Sequence, residues 1–320
     1  MAAPHIWLVA EGFKVSVERC TERILDDEDY NGTGVNMVSH GTWQNAPADA
    51  YILGLKERPE NDLLPLSHNH IMFAHCYKQQ AGWKDVLSCF DAGNGTLLDL
   101  EFLVDDRGRR VAAFGYHAGY AGSVVGLDVW CHKIVEGMIK KFGRLPRVIA
   151  MGALGRCGSG ATDFFRPAGI LEENITKWDI AETKVGGPFK EILEHDIFVN
   201  CIYLSSPIPP FVTKEICGVA GRVWSVLVDV SCDVTNLHNP VPVYYGATTF
   251  VDPILRVEYS DAASLDVVAI DHLPSLLPRE ASEAFCKDLL PSPLELNRAN
   301  FTVWIRAKQL FKEKIAESKK

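Results

Sequence analysis

Residues 147–179 read RVIAMGALGRCGSGATDFFRPAGILEENITKWD, and the fold of the chain depends on the pattern in this stretch. The stretch opens with the apolar run Val148–Met151, which is typical of a strand buried on both faces of a parallel sheet. A glycine-rich turn and a short helical segment at residues 161–165 follow, and a second strand is predicted at Ile175–Trp178. This order of strand, turn, helix and strand predicts an α/β unit with a parallel sheet.

Glycines and an acid occupy regular places in this stretch. Gly152, Gly155 and Gly158 allow a tight turn and a close approach of the backbone to a ligand, and the helix that follows offers free N–H groups to an anion. Asp179 follows the second strand about 20 residues beyond the glycines, where a carboxylate can hydrogen-bond an adenosine ribose. The stretch therefore predicts a dinucleotide site, and the acid favours NAD over NADP because it repels a 2′-phosphate. The alternative is an α/β turn without a ligand, since the spacing G-x-x-G-x-x-G departs from the commoner pattern.

The bulk composition is that of a soluble globular protein. The chain has 320 residues, 47% of them hydrophobic and 23% charged, and a formal net charge of −9. This length is enough for two domains with separate cores. The negative charge, together with the lack of a block rich in lysine and arginine, argues against a nucleic-acid partner.

The sequence predicts no secretory signal and no membrane span. The first residues, MAAPHIWLVAEG, lack a basic region, and no apolar stretch reaches membrane-spanning length. The nine cysteines, an odd number, are scattered along the chain, which favours reduced thiols. We therefore expect a cytoplasmic protein with no membrane partner.

Lys56 and His75 each directly follow an apolar run, at residues 51–55 and 71–74. In an open parallel sheet, the residues that follow the strands lie at the ligand crevice. A dehydrogenase that acts on an amine needs an acid/base group, and a histidine or a partly desolvated lysine titrates in a useful range. The alternatives are a solvated loop lysine and a hydrogen-bonded structural histidine.

Two further strands are expected, at residues 96–104 with Glu101 inside and at residues 111–114. Arg109 and Arg110 precede the second of them, and neighbours on a strand point to opposite faces. One guanidinium can then face a cofactor while the other binds a substrate carboxylate bidentately. The alternative is a solvated turn.

Histidines and cysteines raise the question of metal and redox chemistry. The cluster in the first part of the chain consists of His68, His70, His75 and Cys76. Its spacing matches no standard zinc pattern, and we predict no metal site. Cys157 lies in the glycine-rich turn and Cys201 follows a later apolar run, so both fall at the same crevice and can approach each other. Thiols are expected in a reducing compartment, and a regulatory disulfide is the alternative.

Several long segments, which together span most of the chain from about residue 40 onward, carry a family resemblance. They are GLKERPE (54–60), HIMFAHCYKQQAGW (70–83), LDLEFLVDDRGRRVAAFG (98–115), GALGRCGSGA (152–161), KWDIAET (177–183), NCIYLSSPI (200–208) and VVAIDHLPSLLPREAS (267–282). With these segments the chain resembles the lysine-forming saccharopine dehydrogenases of fungi. Motifs of this length are more specific than a glycine signature alone.

The resemblance implies a reaction and a fold. In that family NAD takes a hydride from the carbon beside the secondary amine of saccharopine, and the imine is hydrolysed to lysine and 2-oxoglutarate. The implied fold is α/β, with two Rossmann-like domains and the active site in the cleft between them. Here that implies an N-terminal domain at residues 1–115, completed by residues 283–320, and an NAD-binding domain at residues 116–282. We expect small-molecule partners and a monomer.

The resemblance also implies roles for individual residues. Lys56 and His75 correspond to the acid/base pair. The implied substrate contacts are Gln80, Arg110, Phe114, Ser231, Cys232 and Asp233. The implied cofactor contacts are Arg109, Gly155, Arg156, Asp179, Thr183, Tyr203, Val230, Ile270, Asp271, His272 and Leu273.

The chain departs from the family pattern in two places. It passes from HIWLVA (5–10) directly to EGFKV (11–15), without a segment of the type E-T-K-x-x-E-x-R-x-x-L-T-P, whose arginine helps to hold the substrate. The stretch between Trp130 and Arg147 is also shorter than in the family. These losses leave two alternatives: a related opine or amino-acid dehydrogenase with an altered substrate, and a non-catalytic paralogue that binds NAD.

Overall fold

The computed structural model describes residues 12–55, 63–79, 82–135, 144–232, 234–296 and 302–320. The chain divides into two units. The first unit is drawn from Met1–Ala113 and Ser282–Lys320, and the second from Phe114–Ala281. Within the described segments, no helix combines the length and the apolar character that crossing a membrane requires.

Strands and helices alternate along much of the chain. The strands are β1 (Ser16–Glu18), β2 (Asn36–Val38), β3 (Tyr51–Leu53), β4 (Asn69–Met72), β5 (Thr96–Asp99), β6 (Val148–Met151), β7 (Ile175–Trp178), β8 (Ile197–Asn200), β9 (Val226–Asp229), β10 (Leu255–Val257) and β11 (Leu265–Val268). The α-helices are α1 (Trp83–Gly93), α2 (Gly115–Val135), α3 (Arg156–Phe165), α4 (Ile180–Thr183), α5 (Lys214–Cys217), α6 (Pro278–Leu289) and α7 (Thr302–Ser318).

The second unit is built on a six-stranded sheet with the order β10-β11-β9-β8-β6-β7. All neighbouring strands are parallel except β10, which runs antiparallel to β11. Every residue of β6, β8, β9 and β11 is buried, because separate apolar clusters cover the two faces of the sheet. The chain order reverses at β6, between β7 and β8, and this topological switch point is where such sheets bind ligands. The predicted α/β fold with a parallel sheet is confirmed.

Helix α3 begins at Arg156, so the prediction that the helical segment starts at residue 161 is wrong. Gly158, one of the glycines that suggested a longer turn, lies inside the helix together with Gly160, and both permit close packing. A Cβ on Gly158 would lie 2.1 Å from the carbonyl oxygen of Gly152, and a Cβ on Gly160 would lie 1.9 Å from that of Tyr116 in α2. These contacts require glycine in spite of its low helix propensity.

The first unit contains a three-stranded parallel sheet with the order β3-β4-β5 and a separate parallel pair, β1-β2. Leu97 of β5, Phe90 of α1 and Phe311 of α7 belong to one buried apolar cluster. The ring centroids of Phe90 and Phe311 lie 6.0 Å apart in an edge-to-face arrangement. The last helix of the chain therefore completes the core around a sheet that the N-terminal part forms.

Strand β5 ends at Asp99 and does not continue to residue 104 as predicted. The Asp99 side chain accepts a hydrogen bond from the backbone N–H of Glu101 at 2.9 Å. The backbone carbonyl oxygen of Asp99 accepts one from the backbone N–H of Phe102 at 3.1 Å. These bonds turn the chain away from the strand direction. Glu101 therefore lies beyond the strand, at the carboxyl edge of the sheet.

Residues 111–114 do not form the predicted strand. Arg110 makes a single antiparallel bridge with Val104, and α2 begins at Gly115. The carboxylate of Asp105 accepts the N–H groups of Arg107 and Arg109, both at 2.9 Å, so a tight turn replaces the regular ladder here.

Candidate active site

His75 lies in the turn that follows β4 in the first unit. Met72 and Asp99 are paired at the ends of β4 and β5, so the turns after these two strands lie side by side. His75 has a φ angle of 51°, in the left-handed region that residues with a Cβ rarely adopt. Backbone held in this region is concentrated at functional sites. The structure thus places the predicted acid/base histidine at the carboxyl edge of the sheet.

Glu101, in the neighbouring turn, is a charged residue that the sequence analysis did not assign to the site. Its carboxylate forms an ion pair with Lys78 at 2.8 Å and with Arg110 at 3.4 Å. Burial alone would raise the pKa of Glu101, but the hydrogen bond and charge of Lys78, together with the charges of Arg110 and His75, lower it. An ionised carboxylate beside His75 stabilises the protonated imidazole.

The guanidinium groups of Arg109 and Arg110 have different partners. The Arg109 guanidinium pairs with Asp105 at 3.4 Å, and 69% of its side chain is exposed. The Arg110 guanidinium is turned toward Glu101. Of the two, only Arg110 has its guanidinium in the charged group around Glu101.

In the second unit, the turn after β6 leads directly into the N-terminus of α3. Gly152 has a φ angle of 83°, and Gly155 caps the helix with extended backbone. Arg156, the first residue of the helix, is exposed. The first N–H groups of α3 therefore lie at the topological switch point of the sheet, in the arrangement that binds phosphate groups.

Asp179 at the end of β7 connects this turn to the next helix. One carboxylate oxygen accepts the backbone N–H of Leu154 at 2.8 Å, and the other accepts that of Ile180 at 2.9 Å. Leu154 and Ile180, on either side of this carboxylate, leave 83% and 72% of their surface exposed. Exposed apolar side chains around an anchored carboxylate suit the apolar base and polar ribose of an adenosine group.

Asp229, the last residue of β9, is the centre of a buried hydrogen-bond network. Its carboxylate accepts hydrogen bonds from Asn200 at 2.9 Å, from the Ser231 hydroxyl at 2.6 Å and from the Tyr244 hydroxyl at 2.7 Å. The backbone N–H groups of Ser231 and Cys232 also donate to it, at 3.1 and 3.4 Å. These hydrogen bonds fix the turn at Ser231 and Cys232 to the end of β9. No local pattern in the sequence marks this role, because the partners Asn200 and Tyr244 lie many residues away.

The remaining predicted contacts of the second unit lie around the carboxyl ends of its strands. Those that are exposed or partly exposed are Phe114, Tyr203, Val230, Asp271 and His272. The side chains of Thr183, Ile270 and Leu273 are buried, and the Thr183 hydroxyl donates to the carbonyl oxygen of Asp179 at 2.8 Å. Three predicted site residues, Lys56, Gln80 and Asp233, lie outside the described residues.

Cys157 and Cys201 are both in the thiol form in the structure. Burial raises the pKa of Cys201 well above its usual range, and the nearby Cys157 and Asp229 raise it further. A disulfide between Cys157 and Cys201 stays a prediction.

The histidines considered for a metal site make other contacts. His68 shares a hydrogen bond of 3.0 Å with the carbonyl oxygen of Ala46, and His70 packs edge-to-face against Trp43 and Phe90. Among the described residues, no group of three histidine, cysteine or acidic side chains has the arrangement to hold a metal ion.

Comparisons with known proteins identify relatives for the whole chain. The chain is 53% identical to a saccharopine dehydrogenase (NAD(+), L-lysine-forming) of Yarrowia lipolytica over 332 positions, covering 95% of this chain and 90% of that protein. It is 48% identical to the enzyme of the same name from Schizosaccharomyces pombe over 361 positions, covering 97% of this chain and 98% of that protein. The second alignment is longer than this chain, so the Schizosaccharomyces pombe protein contains segments that this chain lacks.

Two further comparisons concern the fold. A family model described as the N-terminal domain of alanine dehydrogenase/PNT matches residues 6–121. An L-alanine dehydrogenase structure superposes with a TM-score of 0.67 at 13% identity, covering 97% of this chain and 88% of that chain. The second likeness confirms the predicted fold, with two Rossmann-like domains, and carries no information about the substrate.

Proposed function

This chain belongs to the family of NAD(+)-dependent, L-lysine-forming saccharopine dehydrogenases, and we propose that it interconverts saccharopine with L-lysine and 2-oxoglutarate. It is an oxidoreductase that acts on a CH–NH group and uses NAD. This reaction is the last step of lysine biosynthesis through α-aminoadipate. The observation that carries the proposal is the near-full-length identity to the Yarrowia lipolytica protein.

The second unit has the features that NAD requires. The N-terminus of α3 and the turn at Gly152 and Gly155 fit the pyrophosphate, and the Asp179 carboxylate fits the hydroxyl groups of the adenosine ribose. NAD, when bound, accepts the hydride that leaves the carbon beside the secondary amine of saccharopine. Asp179 disfavours NADP, because its charge would repel a 2′-phosphate.

We propose that His75 and Lys56 move the protons of the reaction. As the C–H bond breaks, a base must take the proton of the secondary amine. Water then adds to the imine carbon, and an acid must protonate the leaving amine of lysine as the C–N bond breaks. The anionic Glu101 supports a protonated His75 at this stage.

We propose that the substrate carboxylates contact Arg110 and the turn at Ser231 and Cys232. The ion pair of Arg110 with Glu101 is long, at 3.4 Å, and 39% of the arginine side chain is exposed. A partly exposed guanidinium can bind a substrate carboxylate through two parallel hydrogen bonds. We further propose that the first unit supplies the acid/base residues and the second unit holds NAD, and that the protein is a cytoplasmic monomer.

The chain lacks the arginine segment of the family. This loss favours the two alternatives, which are a related dehydrogenase with a different substrate and a non-catalytic paralogue that binds NAD. A hydrogen bond to a charged group contributes about 1.5–3 kcal/mol, so the loss of one carboxylate contact would weaken substrate binding about 10- to 150-fold. A related dehydrogenase with a different substrate would show this as turnover with another amino-acid and oxo-acid pair. A non-catalytic paralogue would bind NADH without turnover.

The experiment that tests the proposal follows NADH oxidation by the purified chain. We expect oxidation that requires both L-lysine and 2-oxoglutarate and that is lost in a double variant, Lys56→Ala with His75→Ala. Turnover only with another amino acid or oxo acid would assign the chain to a different substrate. NADH binding by fluorescence without turnover for any pair would overturn the enzymatic function.

A further inference from the structure

Asp99 is a buried carboxyl group at the end of β5, and the reaction described above gives it no role. Only 2% of its surface is exposed. Oδ1 accepts a hydrogen bond from the backbone N–H of Glu101 at 2.9 Å. The backbone N–H of Ala74 lowers the pKa of the same carboxyl group. Oδ2 is fully buried and has no hydrogen-bond partner among the described residues.

The amide of Glu101, which Asp99 bonds, and that of Ala74, which lowers the pKa of Asp99, belong to the two turns that carry charged site residues. Ala74 directly precedes His75, and Glu101 supplies the second amide. A further bond, from the N–H of Leu100 to the carbonyl oxygen of Met72 at 3.0 Å, ties the same two turns together. Asp99 therefore lies where the turn after β4 meets the turn after β5.

The turn that carries His75 needs such support. The φ angle of His75 costs conformational free energy, and a left-handed backbone persists only where the surrounding structure over-determines it. Displacement of a catalytic group by about 1 Å can lower a rate about 100-fold. A group that fixes the amide of Ala74 relative to that of Glu101 therefore acts on the geometry of catalysis.

A role in packing alone does not explain a carboxyl group at this position. A buried oxygen without a partner costs stability, and a leucine or an asparagine would avoid an ionisable group. Burial raises the pKa of Asp99 to about 7, an effect that the charge of Glu101 reinforces and that the amides of Glu101 and Ala74 oppose. The other titratable and charged groups whose interaction with it is resolved are Cys76, Tyr77 and Arg110.

We propose that Asp99 is a positioning residue that ties the turn of His75 to the turn of Glu101 and so holds the acid/base histidine in place. This inference rests on the proposed function, because it takes His75 as the acid/base group. Asp99 itself contacts backbone amides and no reacting atom.

The test compares the full chain with Asp99→Asn, and Leu98→Val in the same strand serves as the control. Leu98 is fully buried, so its shortening lowers stability without touching either turn. For Asp99→Asn we expect kcat to fall about 10- to 100-fold, KM for lysine to change by less than about threefold, and the pH profile of kcat/KM to shift. For Leu98→Val we expect a lower melting temperature with kcat and the pH profile unchanged.

Hydrogen exchange provides a measurement that does not depend on turnover. In Asp99→Asn, peptides that cover residues 73–78 and 100–104 should exchange faster than in the parent chain, while peptides of β6 and β9 should not change. If the parent chain shows no turnover with lysine and 2-oxoglutarate, the proposed function fails and the exchange result still decides the role of Asp99. Unchanged exchange in both peptides, or kinetics of Asp99→Asn that match those of Leu98→Val, would overturn the inference. If Asp99→Asn does not fold, Asp99→Ser takes its place and is judged by the same outcomes.

Discussion

The carboxylate of Asp229 accepts a hydrogen bond of 2.9 Å from the side-chain amide of Asn200, which joins the last residues of two neighbouring parallel strands. Asn200 in turn bonds both backbone groups of Ile202 at 3.2 Å, while Asp229 holds the Ser231 turn. One buried pair therefore positions two loops at the carboxyl edge of the sheet, one on each strand.

We expect Asp229→Ala to loosen the two loops that follow β8 and β9. The variant leaves buried donors without an acceptor, which should lower the free energy of unfolding by about 1–3 kcal/mol. The KM for saccharopine should rise, because the turn at Ser231 loses its anchor. Urea unfolding and steady-state kinetics measure these effects, with Asp261→Ala as an exposed control. Equal KM values for Asp229→Ala and Asp261→Ala would show that the network does not position the substrate turn.

Asp179→Ser should relax the choice of cofactor. The variant removes the charge that repels a 2′-phosphate and the acceptor for the N–H groups of Leu154 and Ile180. We expect the Kd for NADH to rise about tenfold, a loss of about 1.4 kcal/mol, and the Kd for NADPH to fall. Fluorescence titration with both nucleotides measures this, and the exposed Glu173→Ser is the control. The assignment of Asp179 would be wrong if NADH bound to the variant as tightly as to the parent.

Asp99 should make stability depend on pH in an unusual direction. Its pKa is raised from 3.8 to about 7 in the folded chain, so between these values the folded state binds a proton that the unfolded state has released. Stability contributed by this group is therefore complete below about pH 4 and is lost as the pH rises to about 7, by at most about 4 kcal/mol. Urea unfolding of the parent and of Asp99→Asn between pH 4.5 and 8 measures the difference. The free energy of unfolding of the parent relative to that of Asp99→Asn should fall as the pH rises over this range, and a constant difference would contradict the prediction.

Lys133 and Asp266 form a buried ion pair in which each charge stabilises the other. The Nζ atom lies 3.0 Å from the carboxylate, the two side chains are 2% and 1% exposed, and Arg256 provides a second partner for Asp266 at 2.8 Å. Lys133→Met should cost about 3–5 kcal/mol, because it leaves buried charge poorly compensated. The double variant, Lys133→Met with Asp266→Leu, should recover part of this loss in urea unfolding. A double variant no more stable than the single one would show that the cost comes from packing rather than from charge.

Continuous apolar runs were the most informative part of the sequence. Val148–Met151 forms a strand with the predicted bounds, because a strand buried on both faces requires an unbroken run of apolar side chains. The strand at Ile175–Trp178 also has the predicted bounds, although it contains Thr176 and Lys177 and lies at the edge of the sheet. Asp179 directly follows this strand, as predicted.

Interactions across the chain explain where prediction failed. Glu101 was expected inside a strand, because the pattern of apolar residues does not show that the Asp99 side chain accepts a hydrogen bond from the amide of Glu101 and so ends the strand. Helix α3 was expected too late, because the need for Gly158 and Gly160 arises from backbone contacts with other segments. The roles of Asp229 and Asn200 depend on partners many residues away, so a polar residue at the end of an apolar run gave no sign of them.

The contribution of α7 to the first unit has a consequence for the order of folding during synthesis. The second unit is continuous in sequence, so all of its residues are synthesised before those of α7. The sheet of β3, β4 and β5 is synthesised before the second unit, yet Phe311, which packs against Phe90, is synthesised after it. The first unit can therefore be completed only after the whole second unit has been made, and the apolar surface that α7 covers stays exposed until then.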